Sequence, residues 1–209
     1  ITLQIVWYLL VGVLLTGYAI LDGFDLGAGF WHLFVKKDGE RRLFLNAIGP
    51  VWDGNEVWLI TGGGALFAAF PPVYASVFSG MYLALILVLF GLILRAVSIE
   101  YRSQLESPRW REWWDRAFAV GSMLPALLFG VALGNILRGL PLNANGDFIG
   151  TFFTLLNPYA LLIGVLGFVM IAFHGALYLA VKVEGELAQR LRGWANTTWY
   201  VYLALFALV

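Results

Sequence analysis

The sequence predicts an all-α fold: a polytopic transmembrane helical bundle with five complete spans, the start of a sixth, and its N-terminus outside. Three observations carry this expectation. The 209 residues are 61% hydrophobic and only 12% charged, with a mean hydropathy of +0.81. A typical soluble domain carries about 25% charged residues, so this chain cannot cover its core with a polar surface. Its apolar residues come in continuous runs near the roughly 20 residues a helical span needs, without the alternating polarity of a barrel strand. Its basic residues fall on alternate loops.

The first run covers about residues 3–34, with a polar interruption from Asp22 to Asp25. It is too long for a cleaved signal peptide, and bases follow it instead of preceding it. A second run, about 51–70, opens after Gly49-Pro50, and Pro71-Pro72 make a tight turn into a third, about 73–97. The fourth covers about 114–137, with Trp110, Trp113 and Trp114 as an interfacial aromatic belt where it enters. The fifth, about 158–181, opens at Pro158. A sixth opens near 198 and reaches 209, too short to span, so more polypeptide is expected beyond it. With short loops, residues 1–209 read as a single membrane domain.

Lys36, Lys37, Arg41 and Arg42 lie between the first and second runs. Arg95, Arg102, Arg109, Arg111 and Arg116 lie between or at the ends of the third and fourth, and Lys182, Arg190 and Arg192 between the fifth and sixth. Only Arg138 is left for the other side. The positive-inside rule places those three loops in the cytoplasm. With 13 Lys+Arg against 13 Asp+Glu, no net field attracts nucleic acid. The absence of cysteine excludes a disulfide framework, a thiolate metal site and a cysteine nucleophile.

Acids inside a span are costly and point to function. Asp22 and Asp25 are three apart, so they share a helix face, and Asp53 and Glu56 repeat that spacing at the start of the second span. Both pairs fall toward the cytoplasmic side at overlapping depth, without matching bases in their own spans. One reading makes them caps and ties that hold the bundle together, with Asn55 or Trp52 donating hydrogen bonds to a neighbour. The other is a proton route, since adjacent buried carboxylates can load and unload protons near neutral pH. Glu100 and Arg95 could then form its entrance and counter-charge.

The chain has two histidines, His32 and His174. Together they could ligate one haem if the first and fifth spans touched; otherwise they are an interfacial group and a helix–helix hydrogen bond. A multi-haem protein needs more ligands than this, so another chain would hold most of them. No metal site is expected. Gly23/Gly27 and Gly130/Gly134 have the spacing of close membrane-helix contacts.

Specific strings add to this. Tyr18-Ala-Ile-Leu-Asp-Gly-Phe-Asp-Leu-Gly-Ala-Gly29 and Gly49-Pro-Val-Trp-Asp-Gly-Asn-Glu-Val-Trp-Leu-Ile-Thr61 closely resemble subunit II of the cytochrome bd-type quinol oxidases. Gly63-Gly-Ala-Leu-Phe-Ala-Ala-Phe70, Arg95 with Glu100-Tyr-Arg-Ser103, and Leu156-Asn-Pro158 look like the same family, in the same order. The resemblance covers the amino-terminal part of such a subunit.

The resemblance implies a respiratory enzyme of the bacterial or archaeal cytoplasmic (inner) membrane that oxidises quinol and reduces oxygen to water. Haems b558, b595 and d would belong to a partner, subunit I, leaving this chain haem-free and without catalytic residues of its own. Its implied roles are to complete the heterodimer and to contribute carboxylates to cytoplasmic proton uptake. The acid of the family's Trp-Asp-Gly-Asn pattern is Asp53 here; Asp25 and Glu100 match further acidic positions. Trp52 and Trp58 would stand at the subunit interface or along an oxygen route. Small single-span accessory subunits, and a structural quinone or lipid in a groove, are also compatible with the family. From a different class, a proton-coupled secondary transporter could use the interruption at Asp22–Asp25 as a broken-helix binding site.

Overall fold

The computed structural model describes residues 2–209, and every regular element within them is a helix. Helix α1 runs from Leu3 to His32 without a break. The polar stretch Asp22–Asp25 therefore does not interrupt it, and the broken-helix site of a transporter is not formed. The helix survives because the polar side chains find partners on neighbouring helices, so the backbone need not open to satisfy them.

Helix α2 (Asp38–Ile48) occupies what the sequence reads as the first basic loop. Asp38 and Glu40 stand in its first turn, where a helix dipole favours acids, and Phe44 and Ile48 are buried beneath it. Helix α3 (Trp52–Ala69) follows the second run closely. The third run is divided in two: α4 (Pro71–Gly80) and α5 (Tyr82–Tyr101) meet at Met81. The break has a local cause. Gly80 is a poor helix residue, and the Phe148 ring packs so closely that a Cβ on Gly80 would lie 2.9 Å from it.

Helix α6 (Pro108–Arg138) begins before the fourth run, α7 (Phe152–Leu155) is a single turn, and α8 (Pro158–Lys182) matches the fifth run. Asn157 caps α8 by accepting the Ala160 N–H at 3.0 Å, and Pro158 starts the helix where an N–H is dispensable. Helix α9 (Gly185–Phe206) starts well before residue 198. Its first turns carry Glu186, Gln189, Arg190 and Arg192, so hydropathy alone hides them.

Among the described residues, α1, α5, α6 and α8 are long and apolar enough to cross a membrane. Helix α3 falls short of that measure because its first five residues include Asp53, Asn55 and Glu56. Helix α6 is central and packs on α1, α5 and α8; α9 lies against α8, and α3 against α1. Several approaches are close enough to require glycine, two of them on α8. A Cβ on Gly27 would stand 2.8 Å from the Gly175 Cα across α1–α8, and one on Gly130 would stand 2.8 Å from the Gly164 Cα across α6–α8.

The basic residues gather at one end of the bundle. There α2 is held by an Arg190–Glu40 ion pair at 2.6 Å, and Tyr178 donates its O–H to the Ala47 carbonyl at 2.8 Å. The apolar core is concentrated at this same end, where Trp31, Val35, Phe44, Ile48, Phe118 and Leu191 are buried.

Candidate functional site: carboxylates around a buried arginine

The site lies where α1, α3 and α5 converge. Asp22, Asp25 and Arg95 are fully buried, and Asn55 is 7% exposed. Arg95 stands seven residues before Arg102, about 10 Å of helix inward from the basic end. Its Nη2 lies 2.7 Å from Asp22 Oδ1 and also bonds Glu56 Oε1. Beside this group, Asn55 donates from Nδ2 to Asp25 Oδ2 at 2.7 Å and to the Leu21 carbonyl at 3.2 Å. Glu56 is the part that reaches outward, with its side chain 22% exposed.

The spacing of the acids explains the assembly. Asp22 and Asp25 lie on one face of α1, three residues apart. The adjacent α3 residues Asn55 and Glu56 serve one acid each: Asn55 grips Asp25 directly, and Glu56 meets Asp22 through Arg95. Asp22 and Glu56 therefore do have a base, supplied by α5. Sequence distance hides it, since Arg95 is 73 residues from Asp22.

Charge arithmetic sets the chemistry. The group holds three carboxyls and one guanidinium: Arg95 pairs with Asp22 and Glu56, and Asp25 is bonded to Asn55 beside them. A buried carboxylate without full compensation costs several kcal/mol, so such a group must hold protons, draw counter-charge, or both. Several buried atoms around it have no hydrogen-bond partner among the described residues: Tyr18 Oη, Asp22 Oδ2, Asp25 Oδ1, and Arg95 Nε and Nη1.

Two of the expected acids stand apart. Asp53 is exposed in the first turn of α3 and makes no ion pair with Arg95, which Asp22 and Glu56 join. Glu100 is exposed at the end of α5, and Arg95 pairs with Asp22 and Glu56 instead of with it. The entrance pair Glu100–Arg95 is thus not formed. Trp58 lies over Gly17 of α1, where a Cβ would clash with the ring, and Trp52 is half-buried at the start of α3.

The two histidines are not brought together, although α1 and α8 pack side by side. His174 donates from Nε2 to the Ile20 carbonyl at 2.8 Å, while His32 lies twelve residues further along α1, roughly 18 Å away. Both cannot ligate one iron, which needs contacts of about 2 Å. His32 instead donates from Nε2 to Asp115 Oδ1 at 2.5 Å.

Asp115 anchors a second buried group that the sequence does not single out. Its carboxylate accepts from His32, from Arg41 Nη1 at 2.7 Å, and from Arg102 Nε at 2.5 Å. Arg102 also reaches Asp38 at 2.7 Å. One carboxylate therefore ties together α1, α2, the end of α5 and the start of α6. The available signal was an acid just inside the fourth apolar run, the same sign that marks the first-span acids.

Fold and site together define a polytopic helical membrane protein organised around buried acid–base groups at one end of its bundle. Residues 3–209 match the family model described as cytochrome bd terminal oxidase subunit II, and the chain belongs to that family. It is 51% identical over 211 residues to cytochrome bd-I ubiquinol oxidase subunit 2 of Escherichia coli K12, covering 99% of this chain and 56% of the relative. It is 46% identical to the probable cytochrome oxidase subunit 2 of Haemophilus influenzae, with the same coverage. Over 196 residues it is 37% identical to cytochrome bd ubiquinol oxidase subunit 2 of Bacillus subtilis, covering 93% of this chain and 58% of the relative. The chain thus spans little more than half the length of the curated relatives it matches.

Proposed function

We propose that this chain is part of the haem-free subunit II of a quinol:oxygen oxidoreductase, and that its buried carboxylates take up protons from the cytoplasm for oxygen reduction to water. In this reading the complex lies in the cytoplasmic membrane, with the N-terminus of this chain outside and the basic end of the bundle in the cytoplasm. A haem-bearing subunit I is the partner, and quinol and oxygen are the substrates. Haems b558, b595 and d on that partner supply the electron transfer and oxygen chemistry. The family membership supports the assignment, as does the separation of His32 on α1 from His174 on α8, which keeps the two from sharing one iron.

The observation that carries the proton role is the ratio of three carboxyls to one guanidinium in a buried site with one partly exposed member. Asp53, outermost on α3, receives a proton from the aqueous side. Glu56, three residues on, is the next acceptor, and Asp22 and Asp25 are the inner ones. Arg95 keeps the innermost charges tolerable between transfers, because a proton leaving one carboxyl leaves a carboxylate that still faces a cation. Trp52 and Trp58 flank this path on α3, Trp58 against Gly17 of α1, and in this reading the half-buried Trp52 stands nearest the subunit interface or an oxygen route.

The test is Asp25→Asn in the assembled complex. We expect quinol-driven oxygen consumption to fall by about a hundredfold, the scale of a lost proton-transfer group, with haem content unchanged. Wild-type turnover in an assembled Asp25→Asn complex would overturn the proton role.

A further inference from the structure

We infer that Asn55 is a positioning residue for Asp25: its amide, held between the Leu21 carbonyl and the Asp25 carboxyl, fixes the carboxyl against α3. The inference rests on Asp25 serving as an inner proton acceptor.

The amide orientation is decided by its neighbours. Both groups facing Asn55 Nδ2 are acceptors, the Leu21 carbonyl at 3.2 Å and Asp25 Oδ2 at 2.7 Å. Only the NH2 side of an amide can serve both, and its two N–H groups are used up in doing so. Leu21 and Asp25 are one turn apart on α1, so a single side chain from α3 spans the turn that carries the acid. Nothing else among the described residues hydrogen-bonds the Asp25 side chain, and Oδ1 is left without a partner. The fixed donor therefore occupies Oδ2, and the proton exchanges at Oδ1.

The residue type follows from this geometry. An aspartate at position 55 offers no N–H to either acceptor and adds a fourth carboxyl to the site. A leucine fills similar space but leaves Asp25 Oδ2 without a donor. A glutamine keeps the donor on a stem one methylene longer. Asn55 also precedes Glu56, so the same half-turn of α3 sets the separation between the outer acid and the inner one.

The experiment uses the full-length subunit in the assembled, haem-loaded complex. The infrared carboxyl signal of Asp25 is identified through a pH titration as the one missing from Asp25→Asn. We expect Asn55→Leu to move that signal to higher wavenumber and to slow oxygen consumption by about tenfold to a hundredfold at unchanged KM for quinol. Asn55→Gln should restore part of both. If Asn55→Leu does not assemble, Asn55→Gln alone decides, through a smaller shift of the same signal. An Asp25 signal that stays in place when Asn55 is replaced overturns the inference. A shifted signal in a complex whose Asp25→Asn variant turns over normally supports the positioning while removing the proton role.

Discussion

Arg95 and Asp22 form a 2.7 Å ion pair in which neither side chain is exposed. The pair joins α5 to α1, and Glu56 completes it from α3. Removing one member strands the other as a buried charge, which costs about 3–5 kcal/mol. Arg95→Gln should therefore lower the yield of assembled protein sharply. The double variant Arg95→Gln/Asp22→Asn should recover part of that loss, because it removes both charges. Thermal unfolding of the two single variants and the double variant measures the coupling. Additive losses would show that the pair contributes no interaction energy.

The second buried group makes a different expectation. Asp115 accepts from His32, Arg41 and Arg102 at once. Asp115→Asn should destabilise the chain by about 3–5 kcal/mol, since Arg41 and Arg102 would lose their shared anion. His32→Gln, which can still donate one hydrogen bond, should cost about 1 kcal/mol. Melting temperatures in detergent, read beside haem content of the complex, rank the two. Equal losses would mean that the imidazole itself holds the knot.

The two exposed acids separate a proton route from mere surface charge. Asp53→Asn should slow oxygen consumption by about tenfold or more, since it removes the outermost acceptor. Glu100→Gln should leave turnover within about twofold, because Glu100 lies outside the Arg95 group. Steady-state oxygen uptake on both variants is sufficient. A normal rate in Asp53→Asn would take that residue out of the path.

Asp38 gives a pH dependence whose sign can be worked out. The hydrogen bond from Arg102 holds its carboxyl below the usual carboxylate range, with Arg111 adding to the effect. A carboxyl lowered on folding stabilises the folded chain above its unfolded value of about 3.9, and that contribution fades as pH falls through the folded value. Asp38 is 44% exposed, so solvent screening keeps the effect under about 1 kcal/mol. The melting curves of wild type and Asp38→Asn should differ at neutral pH and converge below about pH 4. A constant difference across that range would argue against an electrostatic origin.

The helix contacts make the last prediction. Gly27→Val should drive α1 away from α8, because a Cβ there meets the Gly175 backbone at 2.8 Å. Overpacking of this kind costs about 1–3 kcal/mol or more. Gly12→Ala, with nothing within 4 Å, should stay within about 0.5 kcal/mol of wild type. Both can be compared by the fraction of chain recovered in folded form after extraction.

How much of this was legible beforehand depends on the range of the forces involved. Composition and run length determined the all-helical membrane class, because hydropathy and span length are properties of contiguous residues. The grouping of bases on alternate loops foretold that one end of the bundle would be basic, and three-residue spacing foretold that Asp22 and Asp25 would share one face of α1. Local patterning also misled. Asp22–Asp25 looks like a broken helix, yet α1 runs through it. The amphipathic α2 reads as a loop, and the apolar run around Met81 conceals a break between α4 and α5, where Phe148 of a distant loop packs on Gly80. Only the tertiary structure decided which charges meet. Arg95 answers Asp22 and Glu56, not Glu100, while Asp115 takes His32 out of any pairing with His174. Burial and charge pairing are set by which helices touch, and no window along the chain contains that fact.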